Sequence, residues 1–183
     1  MELLQETEID IKKLYESPEG TEESFEFELE LPELAEDFVL NSVLQGKLRL
    51  MKEKEGIFVF LDELSLELGL QCDLCLEDAN LKLSIRNKER EYFNKKINDK
   101  RLGGLDEENL FQIDLAKMTI DIAEFLREEI LLAKPENVYC KKSCKGLCPE
   151  CGQNLNLGTC ECAESSKNAE NPFQNLKDML KEQ

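Results

Sequence analysis

Between Phe25 and Leu31 the chain alternates without a break. Phe25, Phe27, Leu29 and Leu31 fall on one side, and Glu26, Glu28 and Glu30 on the other. A period of two sends successive side chains to opposite faces, so this segment predicts a half-buried strand with one wet face. Pro32 marks its end or an irregular edge position. Leu44, Leu48 and Leu50 share a face in the next segment, and "KEKEG" after Met51 reads as a polar turn. "IFVFL" (57–61) follows, and then "LSLELGLQC", where Leu64, Leu66, Leu68, Leu70 and Cys72 share a face. The alternation resumes at Leu81, Leu83 and Ile85. Repeated short alternating runs favour antiparallel strands. "CDLC", holding Cys72 and Cys75, then falls at the tip of a hairpin.

From Asp114 to Ala133 the period lengthens. Leu115, Met118, Ile122, Phe125, Leu126, Ile130 and Ala133 recur at three- and four-residue spacing, opposite Lys117, Asp121, Glu124 and Glu128. This predicts an amphipathic helix of about five turns, capped by Asp114 and ended before Pro135. Near the C-terminus "AESSKNAE" reads as a linker. Asn171 as cap, Pro172 at the first helical position, and Phe173, Leu176 and Leu180 on one face predict a short final helix. The expected fold is α+β: an antiparallel β-sheet or partial barrel packed by one long amphipathic helix, with a Cys-rich zinc module. Residues 1–135 form the sheet-plus-helix domain, 136–162 the Cys-rich module, and 163–183 the linker and short C-terminal helix.

Charge changes the functional picture. The formal net charge is -17, with 40 acidic residues against 23 basic ones. Such a surface repels phosphate, excludes broad non-specific nucleic-acid binding, and suits a basic protein partner. One segment runs the other way. Arg86, Lys88, Arg90, Lys95, Lys96, Lys100 and Arg101 are interleaved with Tyr92 and Phe93. Basic side chains pair with phosphates and aromatic rings stack on unpaired bases, so this run is the candidate RNA contact. The bland reading is a solvated strand edge with Tyr92 and Phe93 in the core. The first residues, "MELLQETEIDIKKL", are acidic where a signal peptide is basic and then apolar. No apolar run approaches the ~20 residues of a membrane helix. The expected location is the cytoplasm, with no membrane partner.

Eight cysteines and no histidine then stand out. In a reducing compartment they read as metal ligands before disulfides. They come as four pairs: Cys72 with Cys75, Cys140 with Cys144, Cys148 with Cys151, and Cys160 with Cys162. A two-residue gap lets one tight turn present both sulfurs to one ion, and zinc accepts four thiolates in a tetrahedron. Two structural zinc ions are expected. The preferred partition joins Cys72, Cys75, Cys140 and Cys144 at one ion, and Cys148, Cys151, Cys160 and Cys162 at the other, whose loop closes cheaply. The alternative joins the two Cys-x-x-Cys knuckles, as in a zinc ribbon. An all-thiolate set also admits an iron–sulfur cluster. Cys144, Cys148 and Cys151 share a spacing with radical-SAM enzymes, but too little chain follows for that barrel. Four thiolates leave zinc no open position for catalysis. The chain has no phosphate-binding G-x-x-x-x-G-K-[ST] loop and no G-x-S-x-G elbow, so neither enzyme chemistry nor a small-molecule substrate is indicated.

"CDLCLE", "IDLAKMTIDIAEFLREEILLAKP", "CKKSCKGLCPECGQNLNLGTCEC" and "NPFQNL", in that order, resemble the DUF177 or YceD family, the large ribosomal RNA subunit accumulation proteins of bacteria and plastids. The likeness covers most of the chain and is most specific in "CKGLCPECGQNLN". It implies a non-enzymatic role in the accumulation or maturation of 23S rRNA and in large-subunit assembly. The implied partner is a large-subunit precursor, met through its rRNA or a basic ribosomal protein. Some family members keep the Cys-x-x-Cys yet lack the "CPxCG" part, which makes the second ion an accessory. The rival function is a thiol- or zinc-responsive regulator that releases metal on oxidation.

Overall fold

The computed structural model describes residues 2–30, 39–54, 56–93 and 111–162. The expected C-terminal helix, together with Lys95, Lys96, Lys100 and Arg101, lies outside them. The order of elements is β1 (Glu2–Leu4), β2 (Glu8–Asp10), α1 (Lys12–Tyr15), β3 (Glu22–Leu29), β4 (Val39–Leu40), β5 (Leu44–Lys52), β6 (Gly56–Gln71), β7 (Asp78–Phe93), β8 (Thr119–Asp121) and α2 (Ala123–Ala133). Contacts divide the chain into two compact units. One comprises Met1–Leu70 and Asn80–Glu136, the other Gln71–Ala79 and the chain from Asn137 onward.

The first unit is built on a sheet of order β1-β3-β5-β6-β4, with β7 also pairing β6. β3 runs antiparallel to β5 from Glu22 opposite Met51 to Leu29 opposite Leu44. β5 runs antiparallel to β6, and β1 joins β3 in parallel. The alternating run does what its period dictates: Phe25, Phe27 and Leu29 are buried. In β6 the buried positions change parity. Ile57, Val59 and Leu61 are buried, and then Leu64, Leu66 and Leu68. The register between β5 and β6 shifts at Lys47/Leu48, where Lys47 faces Glu63 and Leu48 faces Leu61. Asp62 is the extra residue of this bulge, and a bulge moves the following side chains to the opposite face. Its carboxylate takes two hydrogen bonds from Arg49, at 2.9 and 3.0 Å. Two hydrophobic runs that an unbroken strand would point in opposite directions therefore line one core.

The long amphipathic helix is not formed. Only Ala123–Ala133 is α-helical. Upstream, Asp114 Oδ1 accepts the backbone N–H groups of Ala116 and Lys117, closing a tight turn that is no helix cap. Met118 leaves that turn with φ 60. Thr119–Asp121 then extends as β8 and pairs antiparallel with β2, Ile9 opposite Ile120. β-branched Thr119 and Ile120 favour that extended state. The apolar stripe survives in part: Ile122, Phe125, Leu126 and Ile130 are buried in the same core as Ile9, Ile11 and Leu14. Lys134 ends the helix in an extended conformation, φ -64 and ψ 126, as a residue before proline should. No helix among the described residues is long and apolar enough to cross a membrane.

Candidate metal centres

The turn between β6 and β7 aims two thiols inward. Cys72 N–H bonds to the Glu77 carbonyl at 2.8 Å, and Leu76 N–H to the Cys72 carbonyl at 2.9 Å. Leu76 takes φ 61 to close this turn. The segment after Asn137 is tied to it twice. Asp73 N–H bonds to the Val138 carbonyl at 2.9 Å, and Val138 N–H returns a bond to the Asp73 carboxylate. These bonds bring Cys140 and Cys144 to Cys75 and Cys72. The Cys75–Cys140 sulfurs are 3.6 Å apart and the Cys72–Cys144 sulfurs 3.8 Å.

A second group forms around the "CPEC" knuckle. Cys148 N–H bonds to the Gln153 carbonyl, and Gly152 N–H to the Cys148 carbonyl, at 2.8 and 2.9 Å. Gly152 sits at φ 72, which this turn needs and which glycine adopts freely. Within each group, Cys72, Cys75, Cys140 and Cys144 or Cys148, Cys151, Cys160 and Cys162, all four sulfurs lie within 4.8 Å of one another. None of the eight is in a disulfide.

The donor set fits a tetrahedral ion. Sulfurs at the ~2.3 Å zinc–thiolate distance stand about 3.8 Å from each other along a tetrahedron's edge. The sulfur separations of 3.6 and 3.8 Å match that edge. A disulfide would need ~2.05 Å. The electrostatics also suit a cation. Burial opposes ionisation of Cys72, but the backbone N–H groups of Cys140, Cys75 and Leu74 outweigh it and bring the thiol down to about 6. The Asn156 side chain lowers Cys144. The N–H groups of Cys151 and Glu150 lower Cys148 to about 7. Thiols beside these are held up. Cys75 is pushed to about 12: the Glu77 N–H works against that rise, while burial and the other three sulfurs drive it. Cys162 rises to about 11, chiefly through Cys151. Four thiols so close cannot all ionise unless a cation shares the site.

The basic run is placed differently from a free RNA-binding strip. Arg86 pairs with Glu63 at 2.8 Å, Lys88 with Glu129 at 2.9 Å, and Arg90 with Glu128 at 2.7 Å. Arg90 also lies over the Phe111 ring, 4.6 Å from its centroid. Tyr92 is enclosed, 1% exposed, with its hydroxyl donating to the Asp121 carbonyl at 2.9 Å. Its ring packs edge-on against Phe111, where no base reaches it. The residue that sequence reasoning missed is Asn156. It lies between the second pair of Cys pairs yet donates to Cys144 of the other group. Only its place inside "CGQNLNLGTC" could have flagged it.

No solved structure matches this chain. A curated relative, "Large ribosomal RNA subunit accumulation protein YCED homolog 1, chloroplastic" from Arabidopsis thaliana, is 33% identical over 64 residues, 34% of this chain. The matched stretch spans 20% of that relative's length. The profile of the family described as "Large ribosomal RNA subunit accumulation protein YceD" matches residues 63–180, a span that contains all eight cysteines. The chain belongs to the YceD family.

Proposed function

We propose that this chain supports accumulation of the large-subunit ribosomal RNA as a non-catalytic scaffold, stapled by two structural zinc ions. The observation that carries the reading is the pair of four-thiol groups, each with all its sulfurs within 4.8 Å of one another, lying within the span that matches the family. When bound, zinc would crosslink distant parts of the chain rather than activate a reagent. The proposed ligands are Cys72, Cys75, Cys140 and Cys144 for one ion, and Cys148, Cys151, Cys160 and Cys162 for the other.

The proposed partner is the large-subunit precursor. Glu26, Glu28 and Glu30 line the polar side of β3 and its continuation, and acidic groups there suit a basic ribosomal protein. The basic run from Arg86 is proposed to reach RNA through Lys95, Lys96, Lys100 and Arg101, since its described members are engaged within the protein. Sucrose-gradient profiles of cells lacking the protein test the function. A deficit of large subunits and of their rRNA in unstressed cells is expected, and normal profiles would overturn the reading. Elemental analysis of the reduced protein should give two zinc ions per chain; iron, or no metal, would refute the scaffold.

A thiol-responsive regulator is the second reading. It draws on Cys148, lowered to about 7, beside exposed Cys151. It would leave gradients normal until cells meet an oxidant.

A further inference from the structure

The basic side chains of β7 and those of the thiol-rich unit are placed differently. On β7, Lys82, Arg86, Lys88 and Arg90 are each held by a carboxylate, at 2.7–2.9 Å. In the thiol-rich unit, Lys141, Lys142 and Lys145 are all exposed, and none makes an ion pair with a described residue. They sit in "YCKKSCKG", around Cys140 and Cys144. In a chain of net charge -17, these three exposed cations, clustered in sequence and without a carboxylate partner, make a local positive patch.

The backbone beneath them is fixed. Cys144 N–H closes a turn onto the Lys141 carbonyl at 3.0 Å. Lys145 N–H bonds to Asn156 Oδ1 at 3.0 Å. Gly146, at φ 73, lets Leu147 N–H reach the Leu74 carbonyl at 2.9 Å; a side chain there would press on that carbonyl at 3.0 Å. With its main chain so held, the loop loses little backbone entropy on meeting a partner. Tyr139, next in sequence to Cys140, is 51% exposed, and it is the large aromatic that the thiol-rich unit leaves open to solvent among the described residues.

We infer that the Tyr139–Lys145 loop is a contact for single-stranded RNA, with Lys141, Lys142 and Lys145 on phosphates and Tyr139 stacked on an unpaired base. The inference rests on the proposed role in rRNA accumulation and adds an RNA contact in the thiol-rich unit to the one proposed at Lys95–Arg101. Three cations are too few to hold a duplex on charge alone against a strongly acidic protein, whereas cations beside an open ring match single strands. A tyrosine hydroxyl also donates to phosphate, but its ring face offers a stacking surface that only a base uses, so the pairing of ring and lysines is what points to a nucleic acid. The competing role for the lysines is local. A zinc ion with four thiolates carries a formal charge of about -2, which neighbouring cations would offset. That role predicts loss of metal, not of RNA, when they are removed.

The test uses the full, zinc-loaded chain and a fluorescein-labelled, unstructured RNA of about 20 nucleotides, read by anisotropy across a salt series. Lys141→Ala with Lys142→Ala and Lys145→Ala should weaken binding at least ~10-fold and reduce the log–log salt slope by about 2. Tyr139→Ala should weaken it ~5-fold or more with an unchanged slope, and Tyr139→Phe should restore it. Lys82→Ala with Arg86→Ala should change little. Zinc content should stay at the wild-type value in every variant. If the triple variant loses zinc, or keeps zinc and binds RNA as the wild type does, the inference is wrong. If only Lys95→Ala with Lys96→Ala weakens binding, the inference falls while the proposed function stands. Binding of a ribosomal protein in place of RNA by the wild type would also overturn it. The gradient profiles judge the function independently of all these outcomes.

Discussion

Asn156 Nδ2 donates a hydrogen bond to Cys144 Sγ across 3.3 Å, although the two residues come from loops that close different thiol groups. The same amide is held by the Asn154 side chain at 2.9 Å, and its oxygen accepts the Lys145 N–H. A donor fixed against a ligand sulfur stabilises the thiolate form and aims it. Asn156→Ala should therefore lower zinc affinity at the Cys72 group by about 10-fold without changing the stoichiometry. Competition with a chromogenic chelator would show one of the two ions released earlier. Asn156→Asp, which sets a carboxylate against the sulfur, should do worse than alanine.

The two groups should differ in what they contribute to stability. Cys72–Cys144 and Cys75–Cys140 join residues 72 and 65 apart, whereas Cys148 and Cys160 are near neighbours in sequence. On loop-closure entropy alone, a crosslink over ~65 residues restrains the unfolded chain by about 1.5 kcal/mol more than one over ~12. Cys140→Ser and Cys160→Ser should each leave one zinc ion bound. In thermal melts the Cys140 variant should unfold at the lower temperature, and the reverse order would contradict the assignment.

Tyr92 gives a pH signature. Burial pushes its phenol well above the ordinary value, with Asp121 adding to the rise. The neutral form is thus favoured in the folded state. The stability it contributes is fully present below ~10, the unfolded value, and is lost as pH rises toward the folded one. Tyr92→Phe loses the bond to the Asp121 carbonyl, at a cost of about 1 kcal/mol near neutrality. Urea melts should show that gap narrowing at high pH.

Gly46 lies on β5 opposite Phe27, and the ring covers it. A Cβ there would collide with that ring and with the Glu63 carbonyl. Gly46→Ala should cost roughly 3 kcal/mol by overpacking. Gly158→Ala, whose nearest neighbour is the tip of Gln153 at 3.9 Å, should be close to neutral. Denaturant midpoints of the two variants check the contrast.

Much of the sheet was legible because its signal is local. The Phe25–Leu29 alternation and the runs of 57–61 and 64–68 all lie in strands with the expected residues buried. That the two β6 runs share one core depends on a bulge at Asp62, and no local pattern announces a bulge. The extended helix failed for a related reason. Leu115 and Met118 keep a helical spacing with Ile122, yet Asp114 closes its own turn and Thr119–Asp121 gains a partner more than a hundred residues upstream in β2. Periodicity cannot weigh a competitor that distant. The pairing of thiol pairs was open on spacing alone, because the hydrogen bonds that draw Val138 to Asp73 are long-range too. The aromatic–basic run left two readings open because stacking rings and core rings look alike in sequence; Tyr92 is a core ring, as the bland reading had it.

The long reach of the first thiol group also has a consequence in time. During synthesis Cys72 and Cys75 leave the ribosome before Cys140 and Cys144 exist. At ordinary translation speeds, the intervening 65–72 residues take about 3–15 s to make. Through that interval the hairpin tip would hold half of the first proposed metal site, two thiols able to take up an ion that they cannot yet enclose. The later four cysteines emerge almost together. A cell starved of zinc while making this protein would expose the early pair longest, so damage to nascent chains should concentrate at Cys72 and Cys75.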